Sequence, residues 1–450
     1  MIRFADKMRS TGMSAADSAT KIALLERVSL ELREMRGGAL DDFCAFFVPG
    51  RVELVGKHTD YAGGRSIVCA INRGICLAAT PRRDARVQIL DLARRAEVEV
   101  KLDPEASSEA RGAGHWSTYV LAVARRLARD FPAARTGADI VFASDLAPAS
   151  GMSSSSALVV AIFFALAAVN SLGRNEAYAR SIRCREDLAA YLAAVESGEA
   201  IRTFSAAGGV GTLGGSEDHV AILCSRSGYF RQYSYCPVQL EREIPAPKNY
   251  VLVIAVSGVR ADKAGQARER YNRSSLAVRK LLELWKTSTG RPDPCLAVAL
   301  SSAPGAAALL GQIVREKADS VAEAEALDGR MHQFLEESSE IVPEVGEALS
   351  RGEMDRVGGL VDRSQALAES LLANQVPETI ALARSARRLG AGAASAFGAG
   401  FGGSVWALVP QARGEEFRDA WADCYRRTYP ERAEASEILL ARAGPGLIEF

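Results

Sequence analysis

The longest apolar run in the chain, Ala157–Val169 (ALVVAIFFALAAV), carries no charged or hydroxyl side chain at any of its 13 positions. It falls well short of the ~20 residues that cross a bilayer as a helix, so it predicts a buried core helix. A chain of 450 residues also exceeds the ~250–300 at which single cores stop growing, and two domains are expected.

What precedes that helix narrows the chemistry. Ala147–Ala157 reads APASGMSSSSA. Small and hydroxyl side chains at a helix N-terminus leave backbone N–H groups and the positive end of the helix dipole facing an anion. The plain alternative is a capped helix with Ser153 as N-cap, but one hydroxyl would suffice for that and further serines cost helix propensity. Four in succession favour a phosphate site.

Two further segments carry chemistry. Gly398–Val405 (GAGFGGSV) runs into a predicted strand, and its glycines permit close backbone approach and positive φ. No Gly-Lys-Ser/Thr follows, and the segment precedes a strand instead of opening a helix, so it is neither a Walker A loop nor a dinucleotide fingerprint. A purely structural turn is the alternative. Gly50–Gly64 (GRVELVGKHTDYAGG) crowds Arg51, Lys57, His58, Asp60 and Tyr61 onto a strand end and the next turn, as polyol recognition requires. Singly, those charges would suit a solvated loop, and His58 a structural histidine.

Lys+Arg 55 against Asp+Glu 55 leaves no net charge, and nothing marks a nucleic acid or anionic membrane as partner. The eight cysteines form no CxxC pair and the four histidines are too dispersed for a zinc cluster, which reads as a reduced, cytoplasmic chain. No stretch of the first 20 residues is apolar enough for a signal peptide. Strands are expected at Phe43–Val48, Arg51–Val55, Ile67–Ala79, Val87–Leu92, Ala138–Phe142, Val251–Val256 and Ser404–Val409. Helices are expected at Ala16–Arg36, Trp116–Ala128, Ala157–Leu172, Arg270–Trp285, Ser320–Glu337, Glu344–Ser350 and Val361–Leu372. The class is α+β, and the proline-containing stretch Pro237–Pro247 divides an N-terminal domain, 1–240, from a C-terminal one, 241–450.

Taken in order, the three segments resemble the signature motifs of the GHMP kinases, and the first resembles that of the galactokinases. GRVELVGKHTDY agrees with GRVNLIGEHTDY at nine of twelve places, ASGMSSSS (Ala149–Ser156) stands for GSGLSSSA, and FGAGFGG (Phe397–Gly403) for TGAGFGG. Gly214–His219 (GGSEDH) approximates the family's GxMDQ, and Ser257–Arg273 its SxVRH…YN region. The resemblance implies a two-domain GHMP kinase fold with the active site between the domains, and an ATP-dependent sugar 1-kinase using Mg2+. By position it implies Asp218 as catalytic base and Arg51 as its charge partner. His58, Asp60, Tyr271 and Lys57 fall at sugar contacts. Ser150, Gly151, Ser153, Ser154, Ser155, Gly400, Gly402 and Gly403 fall around the nucleotide phosphates. Ser155 and Glu196 fall at the metal, Glu199 competing with Glu196 because Gly198–Ala207 reads as an insertion. The partners implied are a monosaccharide and ATP; the oligomeric state stays open.

Lys57 stands where the family has a glutamate that accepts from the sugar 6-hydroxyl. An ammonium can only donate, so Lys57 either reads a sugar carboxylate, as in a hexuronic acid, with a pentose as second choice, or pairs with Glu53, which replaces the family's asparagine. A galactokinase-like sensor without catalysis is a further alternative, opposed by the presence of both Asp218 and Arg51.

Overall fold

The computed structural model describes residues 2–38, 42–106, 116–260 and 266–450; Ala261 and Asp262 of the Ser257–Arg273 resemblance lie outside them. In chain order the strands are β1 (Cys44–Val55), β2 (Arg65–Pro81), β3 (Arg86–Asp91), β4 (Ala96–Lys101), β5 (Ala138–Ser144), β6 (Tyr229–Ser234), β7 (Gln239–Pro245), β8 (Tyr250–Val256), β9 (Ala393–Phe397), β10 (Ser404–Pro410), β11 (Glu437–Ala441) and β12 (Ile448–Glu449). Eight of them form one sheet in the order β12-β1-β2-β5-β3-β4, with β6 on β2 and β7 on β6; the other four form a second sheet, β11-β8-β10-β9. Among the described residues only β3 and β5 pair in parallel. β7 and β12 both belong to the first sheet, so the chain leaves it after Pro245 and returns at Ile448.

The two short strands expected around Pro49-Gly50 are one strand. β1 continues through that dipeptide with register shifts at Pro49/Arg51 and Glu53/Val55, because a bulge accommodates a proline that cannot donate to the ladder. β9 was not expected as a strand: four of its residues are alanine and serine, weak strand formers, with a single phenylalanine, and burial of all five overrides propensity.

The apolar helix, Ser154–Val169, lies in a core shared with Val48 of β1, Leu77 of β2 and Phe142 of β5. Leu192 of the helix Arg185–Ser197 joins the same core. A separate layer packs the helices Gln266–Thr289, Ala306–Lys317 and Val321–Leu335 around Leu281, Leu310 and Phe334. Ala62, in the 3-10 turn Asp60–Ala62, is buried in that layer and ties the end of the first motif to it. No helix among the described residues is long and apolar enough to cross a membrane.

Candidate active site

Four elements converge on one point. Arg51 comes from β1, Ser156 from the first turn of the apolar helix, Glu196 from the last turn of Arg185–Ser197, and Asp218 from the first turn of the helix Glu217–Cys224. Arg51 Nε donates to Asp218 Oδ1 at 2.7 Å and Nη1 to the Gly151 carbonyl at 2.5 Å. Burial opposes the Arg51 charge, but Asp218, then Glu217 and Glu53, hold its basicity above the ordinary value. Ser156 Oγ lies 2.9 Å from Glu196 Oε2 and 3.2 Å from Asp218 Oδ2. Its single proton can serve either carboxylate, so it bridges the two.

An acceptor cleft opens beside this point, lined by His58, Asp60, Tyr61, Glu196, Thr212, Asp218 and Tyr271 among others. His58 Nε2 faces the Ala399 carbonyl at 3.2 Å, so that nitrogen carries the proton and Nδ1 accepts from Tyr61 Oη at 3.0 Å. Arg330 donates to Tyr61 Oη and to the His58 carbonyl, fixing the turn from behind. Asp60 Oδ2 accepts from the Glu217 backbone N–H at 3.1 Å. A Cβ on Gly215 would collide with that same carboxylate, so glycine is required for the approach.

Lys57, expected at the sugar, is elsewhere. It is absent from the cleft lining, and its ammonium donates to Ser364 Oγ at 2.9 Å, which in turn donates to Glu337 Oε1 at 2.8 Å. The charge of Lys57 also acts on the Glu53 carboxyl, favouring its ionised form. The reason is the pleat: side chains two apart on β1 share a face, which puts Glu53 beside Arg51 in the cleft, whereas Lys57 lies past the strand end and is only 1% exposed. Glu53 brings in a carboxyl that burial pushes up to about 7, Lys57 and Arg51 opposing. Burial, then Glu53 and Asp60, push Glu217 well above the ordinary range.

The donor cleft is larger and partly apolar. Gly151, Ser153, Ser154 and Ser155 line it with Ile75, Trp116, Tyr119, Phe142, Arg94 and Arg260. Ser153 occupies the N-cap position at φ 57 but makes no capping bond, and its buried hydroxyl has no partner among the described residues. The capped-helix alternative therefore fails here, and the first N–H groups stay available to an anion. Ser150, Gly400, Gly402 and Gly403, expected at the phosphates, do not line either cleft. Ser150 accepts from Ser404 Oγ at 2.6 Å, and Gly400 and Gly402 pack against Asn374 and Val259, so these residues buttress the loop. Gly398 and Ala399 are the members of the third motif that reach a cleft. A Cβ on Gly398 (φ +79) would stand 2.9 Å from the Gly151 carbonyl, so the two loops touch through glycine.

Of the two glutamates considered for a metal, Glu196 is buried in the cleft, while Glu199 pairs with Arg279 at the surface. Ser155 lines the donor cleft and Glu196 the acceptor cleft, and Arg51 and Ala399 line both. Among the described residues no set of three or more His, Cys, Asp or Glu gathers as a closed metal site. The signals for Ser156 and Glu217 were present as mismatches, serine for alanine in ASGMSSSS and glutamate for methionine in GGSEDH. Trp116, Tyr119 and Arg330 carry no local signal.

Residues 118–198 match the GHMP kinases N terminal domain and residues 346–427 the GHMP kinases C terminal, so this fold and site are those of a GHMP kinase. Residues 33–81 match the galactokinase galactose-binding signature. Galactokinase from Chloroflexus aurantiacus is 31% identical over 293 residues, 62% of this chain and 67% of that protein. Galactokinase from a Roseiflexus species is 27% identical over 402 residues, 89% of this chain and 91% of that one. The chain belongs to the galactokinase family, whose members are ATP-dependent sugar kinases. The structure of Lactococcus lactis galactokinase complexed with galactose shares its fold at a TM-score of 0.74, with 21% identity, covering 94% of this chain and 99% of that one. Methanococcus jannaschii mevalonate kinase does so at 0.52, with 15% identity over 90% and 99%.

Proposed function

We propose that the chain transfers the γ-phosphoryl group of ATP to the anomeric hydroxyl of galactose or a closely related neutral aldose, in the cytoplasm. The observation that carries this is the Arg51–Asp218 pair at the junction of the two clefts. Phosphoryl transfer asks mainly for positioning and charge neutralisation. The free N–H groups around Ser153–Ser155 would hold the phosphates, and Asp218 would accept the proton of the attacking hydroxyl. Arg51 would keep Asp218 ionised and offset charge on the transferring group. His58, Asp60 and Tyr271 would orient the sugar. The oxygen donors Ser155 and Glu196 suit Mg2+, which would neutralise phosphate charge when bound.

The lining speaks against an acidic sugar. Five carboxyl side chains, Glu53, Asp60, Glu196, Glu217 and Asp218, face the cleft with Arg51, while Lys57 is withdrawn. A coupled ADP assay over neutral aldoses, pentoses and uronic acids tests the reading. Turnover with galactose or a neutral relative, dependent on Mg2+ and absent with galacturonate, is expected. ATP binding without turnover on any sugar would instead identify a sensor, and a preference for galacturonate would refute the assignment of the cleft.

A further inference from the structure

The helix Val321–Leu335 runs into a π-helical turn, Glu336–Ile341, and carries Arg330, Gln333 and Glu337 at i, i+3 and i+7, the spacing of one helix face. All three are buried, as is Ser338. Arginine and glutamate leave water completely only where they are paired, so this stripe must bond to something inside the molecule. Its partner is the main chain of the turn that presents His58, Asp60 and Tyr61. Glu337 Oε1 accepts from the backbone N–H groups of Gly56 at 2.7 Å and Lys57 at 3.2 Å. Gln333 Nε2 donates to the Lys57 carbonyl at 3.1 Å, and Arg330 Nη2 to the His58 carbonyl at 2.5 Å and to Tyr61 Oη at 3.3 Å. Ser338 Oγ accepts from the Arg65 N–H at 3.1 Å. A π turn advances less per residue than an α turn, so the neighbours Glu337 and Ser338 both reach the turn, one at each end. A Cβ on Gly64 would stand 2.7 Å from the Phe334 ring, so helix and turn meet without a gap.

We infer that Arg330, Gln333 and Glu337 are positioning residues for the acceptor sugar, Glu337 foremost, an inference that rests on the sugar-kinase reading of the cleft. None of the three lines either cleft, so they act only through the groups they hold. Arg330 Nε also donates to the Ser274 carbonyl at 3.4 Å, one turn beyond Tyr271 on the helix Gln266–Thr289. One guanidinium therefore ties His58, Tyr61 and, through its helix, Tyr271. Lys57 is drawn into the same arrangement. Its ammonium donates to Ser364 Oγ, and that hydroxyl donates to Glu337 Oε1 at 2.8 Å. The backbone and the side chain of one residue thus converge on a single oxygen.

Loss of that oxygen would leave two buried N–H groups without an acceptor, and the turn would shift to satisfy them. Misplacement of sugar contacts costs on the order of 10-fold or more in kcat/KM for sugar. No residue from Gly56 to Arg65 lines the donor cleft, so nucleotide binding should not follow.

The test compares Glu337→Leu, which removes the acceptor, with Glu337→Gln, which keeps it. Oε1 makes all of the bonds described above, while Oε2 has no hydrogen-bond partner among the described residues. Amide hydrogen exchange, titration with galactose and with a non-hydrolysable ATP analogue, and steady-state kinetics are read on the full chain. Glu337→Leu should exchange faster over Gly56–Arg65 but not over Gly151–Ser155. Its KM and Kd for galactose should rise about 10-fold or more, with the Kd of the ATP analogue unchanged, and Glu337→Gln should recover most of the loss. Arg330→Lys keeps the charge and loses the fork, and should show the same loss confined to sugar; it carries the test if Glu337→Leu does not fold. Equal weakening of sugar and nucleotide, lower thermal stability with unchanged sugar affinity, or no recovery in Glu337→Gln would overturn the inference. Exchange reads the turn whether or not a sugar is phosphorylated. A wild-type chain that binds no sugar while exchange still separates the variants would sink the sugar reading alone, and unchanged exchange over the turn would sink the positioning.

Discussion

The donor cleft and the acceptor cleft meet at Arg51 and Ala399 but are built by opposite means. At the donor side, Gly151 and the serines at the start of the apolar helix expose main-chain donors, and their loop is supported from behind by Gly398 and Gly403. The acceptor side is a network of charged side chains from β1, the 3-10 turn and the helices Arg185–Ser197, Glu217–Cys224 and Val321–Leu335. A site made of backbone has few chemical degrees of freedom, because nearly any change at a glycine is a collision. A site made of side chains can be rewired: Glu53, Lys57 and Glu217 all depart from the family motif, and the cleft still closes around Asp60 and Asp218.

The largest expected effect separates the two sides outright. Asp218→Asn should lower kcat by ~10²–10⁴-fold and leave binding of a non-hydrolysable ATP analogue near the wild-type value, since it removes the base and its one donor-cleft contact, Arg51, keeps a carbonyl partner in Gly151. A matching loss of nucleotide affinity would show that the two sides are not separable.

Lys57→Met addresses the rewired network. Removing the buried ammonium costs ~1.5–3 kcal/mol, because its hydrogen bond to Ser364 and its charge acting on the buried Glu53 are lost together. Denaturant unfolding should show that loss, with the ranking of galactose over galacturonate in kcat/KM retained by the remaining folded enzyme. A reversed ranking would mean that Lys57 reads the sugar after all.

The Glu53–Glu217 pair makes stability depend on pH in a defined sense. Both carboxyls titrate higher in the folded state than in the unfolded one, so between the ordinary value of 4.5 and about 7 the native chain binds more protons. The Glu53 contribution is full below pH 4.5 and is lost as pH rises through about 7, and that of Glu217 is likewise full below pH 4.5 and lost at higher pH. Unfolding free energy should therefore fall across the window from pH 4.5 to about 7, Glu53 alone contributing up to about 3 kcal/mol. Glu53→Gln should flatten the slope, and an unchanged slope in that variant would assign it to other groups.

Ser156→Ala carries the smallest expected effect and tests where the two sides join. It restores the motif's alanine and removes a long hydrogen bond to an ionised carboxylate, at the low end of ~1.5–3 kcal/mol, so kcat should change by only ~10-fold. The acidic limb of its pH profile should move upward, as Asp218 loses a donor that favours its ionised form. Ser155→Ala should instead raise the Mg2+ requirement; an identical response from both variants would collapse the distinction drawn between adjacent serines.

Sequence alone determined what depends on residue type and short spacing. The buried helix follows from thirteen apolar residues, its phosphate-ready N-terminus from the serines before it, and the acceptor turn from GRVELVGKHTDY. These are local properties, fixed by side-chain volume, backbone freedom and hydrogen-bonding capacity. Tertiary structure alone decided which charges meet. Whether Lys57 faced a sugar or the interior depended on Ser364 and Glu337, more than 270 residues away in the case of its contact with Glu337. Whether Glu196 or Glu199 entered the cleft depended on where the helix ended, with Gly198 as its left-handed cap and Glu199 turned out to Arg279. The glycines of the third motif were legible as glycines but not as buttresses, because a collision with Asn374 or Val259 exists only once the chain has folded. Pair energies inside a protein fall off over a few ångströms, and only the fold sets those distances.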